Sequence, residues 1–92
     1  MEDIKMDNNK FYIGEDSENP IAEITFIPLG EDKIIVNHTY VSPKLRGLGI
    51  GERLVEKAAE YAREGNKKIV PTCSFAKKLM TENEKYKDLI AD

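Results

Sequence analysis

The sequence predicts a mixed α/β domain: an antiparallel β-meander, extended by one parallel strand through a crossover helix and closed by two short C-terminal helices. Three features point that way. Apolar runs between residues 10 and 41, separated by turn-rich connectors, read as three strands joined by short loops. Residues 50–62 then repeat their apolar positions at the three- and four-residue spacing of a helix. A further short apolar run over 68–73 follows, and a strand–helix–strand order demands a crossover that sets its two strands parallel.

Residues 10–14 (KFYIG) form the first predicted strand, and 15–20 its turn, because Asp, Ser, Asn and Pro favour turns through local hydrogen bonds and a fixed φ. A hairpin to 21–27 is expected, ending at the turn-rich stretch 28–32. Residues 33–41 carry β-branched and aromatic side chains on both faces, which predicts a central strand covered on both sides. Ser42-Pro43 stops it. In the helix, Ile50, Leu54, Val55, Ala58, Ala59 and Ala62 make the apolar stripe, with Glu52, Arg53, Glu56, Lys57, Glu60 and Arg63 mostly on the other side. Gly65-Asn66 supplies the C-terminal stop. Residues 68–73 are the fourth strand, and 74–80 and 84–90 the closing helices, broken near 81–83. The free edge of the first strand leaves a monomer or a weak homodimer as the expected state.

A chain of 92 residues builds one modest core, so two independent domains and large multilayer enzymes are excluded. The 40% hydrophobic and 34% charged residues fit a globular protein rather than a disordered one. No apolar run reaches the roughly 20 residues that span a bilayer, and the acidic start lacks the basic and apolar regions of a signal peptide. A cytoplasmic protein is expected, with no membrane partner. The single cysteine, Cys73, forms neither an internal disulfide nor a multi-cysteine metal site.

The net charge of -3 opposes non-specific nucleic-acid binding, but it is unevenly spread. Residues 1–43 carry -6, residues 44–78 carry +5 and residues 79–92 carry -2. A basic centre in an acidic chain suits a compact polyanionic ligand, since phosphates are held by local donors; for the charges of 52–64 taken alone, helix salt bridges at i,i+4 are the simpler account.

Arg46-Gly47-Leu48-Gly49-Ile50-Gly51 falls between a strand and a helix start, where the first N–H groups have no intrahelical partner. Glycines let a backbone approach a phosphate, and the helix N-terminus adds partial positive charge. The loop is not a Walker A motif, which ends Gly-Lys-Ser/Thr, and not a dinucleotide fingerprint, because Glu52 stands where the third glycine belongs.

Arg46-x-x-Gly49-x-Gly51, after a Val41-x-Pro43-x-Leu45 lead-in, resembles the acetyl-coenzyme A (acetyl-CoA) pyrophosphate loop of the GCN5-related N-acetyltransferase superfamily, whose motif reads Q/R-x-x-G-x-G/A. Asn37-His38-Thr39-Tyr40-Val41, the RGLGIG loop, Lys68-Ile69-Val70-Pro71-x-Cys73-x-Phe75 and Tyr86-x-Asp88-Leu89 resemble its small, single-cysteine acetyltransferase-like subfamily. The likeness runs over residues 10 to 90 or so. It implies a minimal acyl-CoA N-acyltransferase-like fold, with residues 1–92 as one domain and acetyl-CoA as cosubstrate. Val41, Leu45, Arg46, Gly47, Leu48, Gly49, Ile50 and Gly51 are implied to hold the cofactor, pyrophosphate against the backbone of 45–51. Pantetheine is implied in the cleft where the third and fourth strands diverge, the thioester toward 36–39 and Cys73. The N-terminal helices and last strands that most members use for an acceptor pocket have no counterpart here, so the resemblance names no acceptor amine. Asn83-Glu84 stands where the subfamily often has His-Pro, and Leu79 where an aromatic is common, so no acid or base is carried over to that region.

Acetyl transfer needs a neutral amine, an activated carbonyl and a proton for the leaving thiolate. His38, the one histidine, is a candidate base or a buried strand residue supporting the cleft. Cys73 is a covalent acetyl relay, a partner for a mixed disulfide with coenzyme A, or a small buried hydrophobe. Lys77, with Lys78 beside it, meets the 3′-phosphate or pyrophosphate or lies on a solvated face. Tyr86 is a proton donor or core, and Glu23 and Glu52 are read as solvated charges. Three functions therefore compete: an N-acetyltransferase, a non-catalytic coenzyme A binding module, and a protein-interaction domain whose loop only resembles the motif.

Overall fold

Apolar side chains at alternate positions of consecutive strands build one buried sheet face, and the helices close over it. The computed structural model describes residues 3–91. Among them, five strands form one mixed sheet: β1 (Lys5–Asp7), β2 (Lys10–Ile13), β3 (Ala22–Leu29), β4 (Lys33–Val41) and β5 (Lys68–Pro71), in that spatial order. The first four are antiparallel neighbours, and β4 and β5 are parallel, joined through the helix α1 (Ile50–Glu64). The helix α2 (Ser74–Glu82) follows β5.

Phe11, Ile13, Ala22, Ile24, Phe26, Ile34 and Val36 of the sheet meet Ile50, Leu54, Val55, Ala58, Ala59 and Ala62 of α1 in one core. All six α1 positions of the predicted stripe are buried. Phe26 packs its ring 4.9 Å from Tyr61 and 5.9 Å from Phe11, an aromatic cluster under the C-terminal part of the helix. Ala76 and Met80 bring α2 into the same core, with Tyr86 and Leu89 closing its end.

Four expectations are corrected. The predicted first strand is the second, because 5–7 pair with 10–12 across a two-residue Asn8-Asn9 turn in which Asn9 takes φ 60°. Asn tolerates that left-handed region, and the exposed edge therefore belongs to β1. The β4 strand is covered on one face only: both helices bury into the same core, and His38 and Tyr40 are exposed. The second closing helix is a single 3-10 turn at Glu84–Tyr86. Beyond it the chain extends, the Ile69 N–H donating to Leu89 O at 2.7 Å and the Ala91 N–H to Ile69 O at 2.8 Å, so the tail satisfies the outer edge of β5. Finally, β5 ends at Pro71, before Cys73.

Two irregularities shape the sheet beside α2. Thr25 pairs with His38 and Phe26 with Val36, so Asn37 is an inserted residue, a β-bulge that bends β4. The parallel ladder stops at Val36 and Pro71, and the Val36 carbonyl accepts from both Thr72 N–H (3.0 Å) and Cys73 N–H (3.1 Å). Past that fork β4 and β5 part.

Candidate functional site

The parted strands open onto a cleft of about 530 Å³, lined by Thr39, Val41, Leu45, Arg46, Gly47, Gly49, Ile50, Gly51, Glu52 and Phe75. One wall is the loop between β4 and α1. Ser42 caps a 3-10 turn at Pro43–Leu45 by accepting from the Lys44 N–H, and the chain then enters α1 through Gly47 (φ 84°) and Gly49 (φ 73°). Both glycines sit in the left-handed region that side chains disfavour, with open space around them. The first intrahelical bond runs from Arg53 N–H to Gly49 O at 3.1 Å, so the N–H groups of Ile50, Gly51 and Glu52 point out of the helix end without intrahelical acceptors. Those donors, the helix dipole and the Arg46 guanidinium suit a phosphate.

Of the residues expected to hold a cofactor, Val41, Leu45, Arg46, Gly47, Gly49, Ile50 and Gly51 converge on this cleft. Leu48 does not line it; its side chain is 63% exposed at the loop tip. Lys77 is exposed on α2, outside the lining. Glu52 and Phe75 line the cleft without having been singled out as cofactor contacts, and Thr39 joins it from the end of the 36–39 stretch that the resemblance set toward the thioester. Glu52 is therefore a carboxylate at the cleft wall, in the first turn of α1. The sequence signal for Thr39 was its alternation with Val41 on one strand face.

Cys73 and His38 fall on different sides of β4. The Cys73 thiol donates to Thr39 Oγ1 at 3.5 Å, on the cleft side, where Cys73 is half-buried at the N-cap of α2. Burial pushes this thiol up, but the Thr39 hydroxyl and the N–H groups of Ala76 and Phe75 outweigh it, and the net displacement is downward. No capping hydrogen bond of normal geometry closes at the sulfur, so these amides act as nearby dipoles. His38 pairs with Thr25 on the sheet face opposite the core, 54% exposed, its Nε2 3.5 Å from Glu23 Oε2. Glu23 is tied at the same time to Lys10 Nζ at 3.0 Å. Tyr86 is core, its hydroxyl pushed up by burial, at the far end of α1 beside Glu56 and Arg63.

A mixed sheet with a bulged central strand, a forked parallel pair and a glycine loop entering a helix at the fork is the architecture of an acetyltransferase. The family profile described as GCN5-related N-acetyl-transferase matches residues 10–89, and the chain belongs to that family. A GCN5-like protein of Staphylococcus aureus, solved in solution, is 43% identical, with a TM-score of 0.83 over 97% of this chain and 87% of that one. Tetrahymena GCN5 shares the fold at 20% identity, with a TM-score of 0.62 over 90% of this chain and 60% of that one. An uncharacterized N-acetyltransferase of Archaeoglobus fulgidus is 50% identical over 34 residues, 37% of this chain and 23% of that protein. The present chain thus aligns with about a quarter of that relative's length. No helix of the described residues is long and apolar enough to cross a membrane.

Proposed function

We propose that residues 1–92 act as one acetyl-CoA-binding domain that transfers acetyl from the thioester to an amine, in the cytoplasm. The observation that carries this reading is the convergence of the Arg46–Gly51 loop, the α1 N-terminus and the parted strands on one cleft. The cleft suits the molecule in parts: donors at the helix end for the pyrophosphate, and Thr39, Val41 and Leu45 beside the strand fork for a slender apolar arm. Arg46 neutralises phosphate charge, and Lys77, on the next helix, meets the 3′-phosphate. Acetyl-CoA supplies the activated acetyl group.

The chain's own part is to orient and to manage protons. Beyond the bulge β4 has no β5 partner, so its backbone donors are available to a carbonyl lying in the fork. Thr39 and Cys73 stand at that fork, where the Cys73 thiol is set to return a proton to a departing thiolate or to accept the acetyl group itself. His38, held by Glu23, is the base we assign to an amine reaching the fork from the opposite face of β4.

Titration of the labelled protein with acetyl-CoA, following backbone amide shifts, tests this, with ATP and NAD as controls. Shifts concentrated in 45–53, 36–39 and 73 are expected. Silence would sink the reading and return the loop to a mere turn. Turnover with a panel of amines then separates transfer from binding alone, and His38→Gln should lower turnover while leaving acetyl-CoA affinity unchanged.

A further inference from the structure

Gly51 differs from the other two glycines of the loop. Gly47 and Gly49 have left-handed φ values and open space where a Cβ would stand, so their backbone conformation demands glycine. Gly51 lies inside α1 without a positive φ, where alanine is the better helix former by up to about 1 kcal/mol. What it lacks is room: a Cβ there would lie 2.8 Å from Cζ and 3.0 Å from Cε2 of the Phe75 ring. Real Cβ contacts do not come so close. The missing methyl is the seat of an aromatic ring.

That ring is placed oddly for a core residue. Phe75 is 44% exposed and lines the cleft opposite Thr39 and Val41, while its neighbour Ala76 fills the core beneath. A large apolar surface left open on a cleft wall is stabilised by a ligand that covers it. Thr39 and Val41 of β4 line the same cleft, as do Arg46 and Gly49, and Phe75 meets the loop through Gly51.

Resting on the reading given under Proposed function, we propose that Phe75, seated on Gly51, is a positioning residue that sets the width of the cleft and packs against the aliphatic arm of the bound thioester, and that the third glycine of the loop serves this aromatic rather than the phosphates. Ring and glycine therefore work as a pair. A methyl at 51 pushes the ring off its seat and narrows or misaligns the channel, though the N–H of residue 51 is kept.

The test compares three probes, acetyl-CoA, pantetheine and adenosine 3′,5′-bisphosphate, by calorimetry and amide shifts on the full chain. Phe75→Ala should weaken acetyl-CoA about tenfold, abolish measurable pantetheine binding, and change the bisphosphate by less than about twofold, a selectivity that a general loss of structure would not give. Gly51→Ala should weaken acetyl-CoA in the same selective way, and the double variant Gly51→Ala/Phe75→Leu, with a shorter apolar side chain, should regain the affinity of Phe75→Leu alone. Equal loss of all three probes in Phe75→Ala, unchanged acetyl-CoA affinity, or a Gly51→Ala defect that persists beside Phe75→Leu would each overturn the pairing while leaving the cofactor assignment standing. Should the wild-type chain bind none of the probes, both the cofactor reading and this inference fall.

Discussion

Thr39 Oγ1 lies 3.5 Å from Cys73 Sγ across the fork where β4 and β5 part. The hydroxyl and the α2 N-terminal amides hold the thiol below its ordinary value against the opposing effect of burial. The pH at which Cys73 becomes half-reactive toward iodoacetamide should therefore be lower in the folded protein than in the chain unfolded in urea. Thr39→Val should move that midpoint up. The linkage sign follows: with the folded value depressed, this group's contribution to stability is fully present above the unfolded value and is lost as pH falls through the folded one. Stability measured by urea unfolding should rise with pH across that alkaline window in the native sequence and lose the slope in Cys73→Ser. A midpoint equal in folded and unfolded chains would show that the hydroxyl and amides do no more than offset burial.

Gly49 has φ 73° as the N-cap of α1, where an L side chain costs about 1–2 kcal/mol per residue. Gly49→Ala should lower the free energy of unfolding by an amount in that range, seen as a lower urea midpoint with m unchanged, and weaken acetyl-CoA by shifting the turn that aims the first-turn N–H groups. Because nothing stands within 4 Å of its Cβ position, the cost is conformational and not steric. Gly49→Asn, which tolerates the left-handed region better, should recover part of it.

The helix α1 was fully legible because its six buried positions share one stripe, and a 3.6-residue period survives in any tertiary setting that offers one apolar face. The glycine loop was legible for a local reason, since a turn, left-handed glycines and a helix end all lie within 43–52. What stayed hidden depends on chain segments meeting. Phe75 reaches Gly51 only because the crossover returns α2 beside the start of α1, and no spacing encodes that approach. The Asn37 bulge changes the strand phase between Val36 and His38, and the odd spacing of Val36 and Val41, both against the core, reads in the sequence only as apolar residues on both faces. The β1 strand has three exposed residues and thus no alternation, and only the Asn8-Asn9 turn announced it. His38 reads as a cleft candidate from its neighbours Asn37 and Thr39, yet the bulge sends its side chain to the other face, beside Glu23.

Arg63 reaches from the end of α1 to the C-terminal tail, donating to Lys85 O at 2.6 Å and to Asp88 Oδ1 at 3.1 Å. This guanidinium holds the exposed Asp88 carboxyl below its usual range. The pairing is therefore complete above the unfolded value of the carboxyl and fades as pH falls through the lower, folded one. Protection against amide exchange at Ile69 and Ala91, whose N–H groups tie the tail to β5, should fall in acid before that of the core does, once the slower intrinsic exchange at low pH is taken into account. Arg63→Ala should produce the same local loss of protection at neutral pH and leave the protection of Ile34 and Leu54 unchanged. Uniform loss of protection would mean that the tail and the core open as one unit.

Asn37, the inserted residue of β4, stands where the parallel ladder ends. Thr25 and Phe26 are consecutive on β3, but their partners His38 and Val36 are not, and Thr25 Oγ1 donates to Asn37 Oδ1 at 2.7 Å to hold the insertion in place. Deleting Asn37 would set His38 next to Val36 without changing which face either occupies. The strand should straighten, β4 should continue alongside β5 past Val36, and the space between Thr39 and Phe75 should narrow. The expected result is a folded protein, cooperative in urea with an unchanged m, that binds acetyl-CoA at least about tenfold more weakly. Asn37→Ala is the control: it loses the Thr25 bond but keeps the extra residue, so binding should survive with only a modest loss of stability. Should the deletion variant bind as the native chain does, the parting of β4 and β5 would have to be ascribed to the turn of the chain into α2, where the Thr72 and Cys73 N–H groups share the Val36 carbonyl.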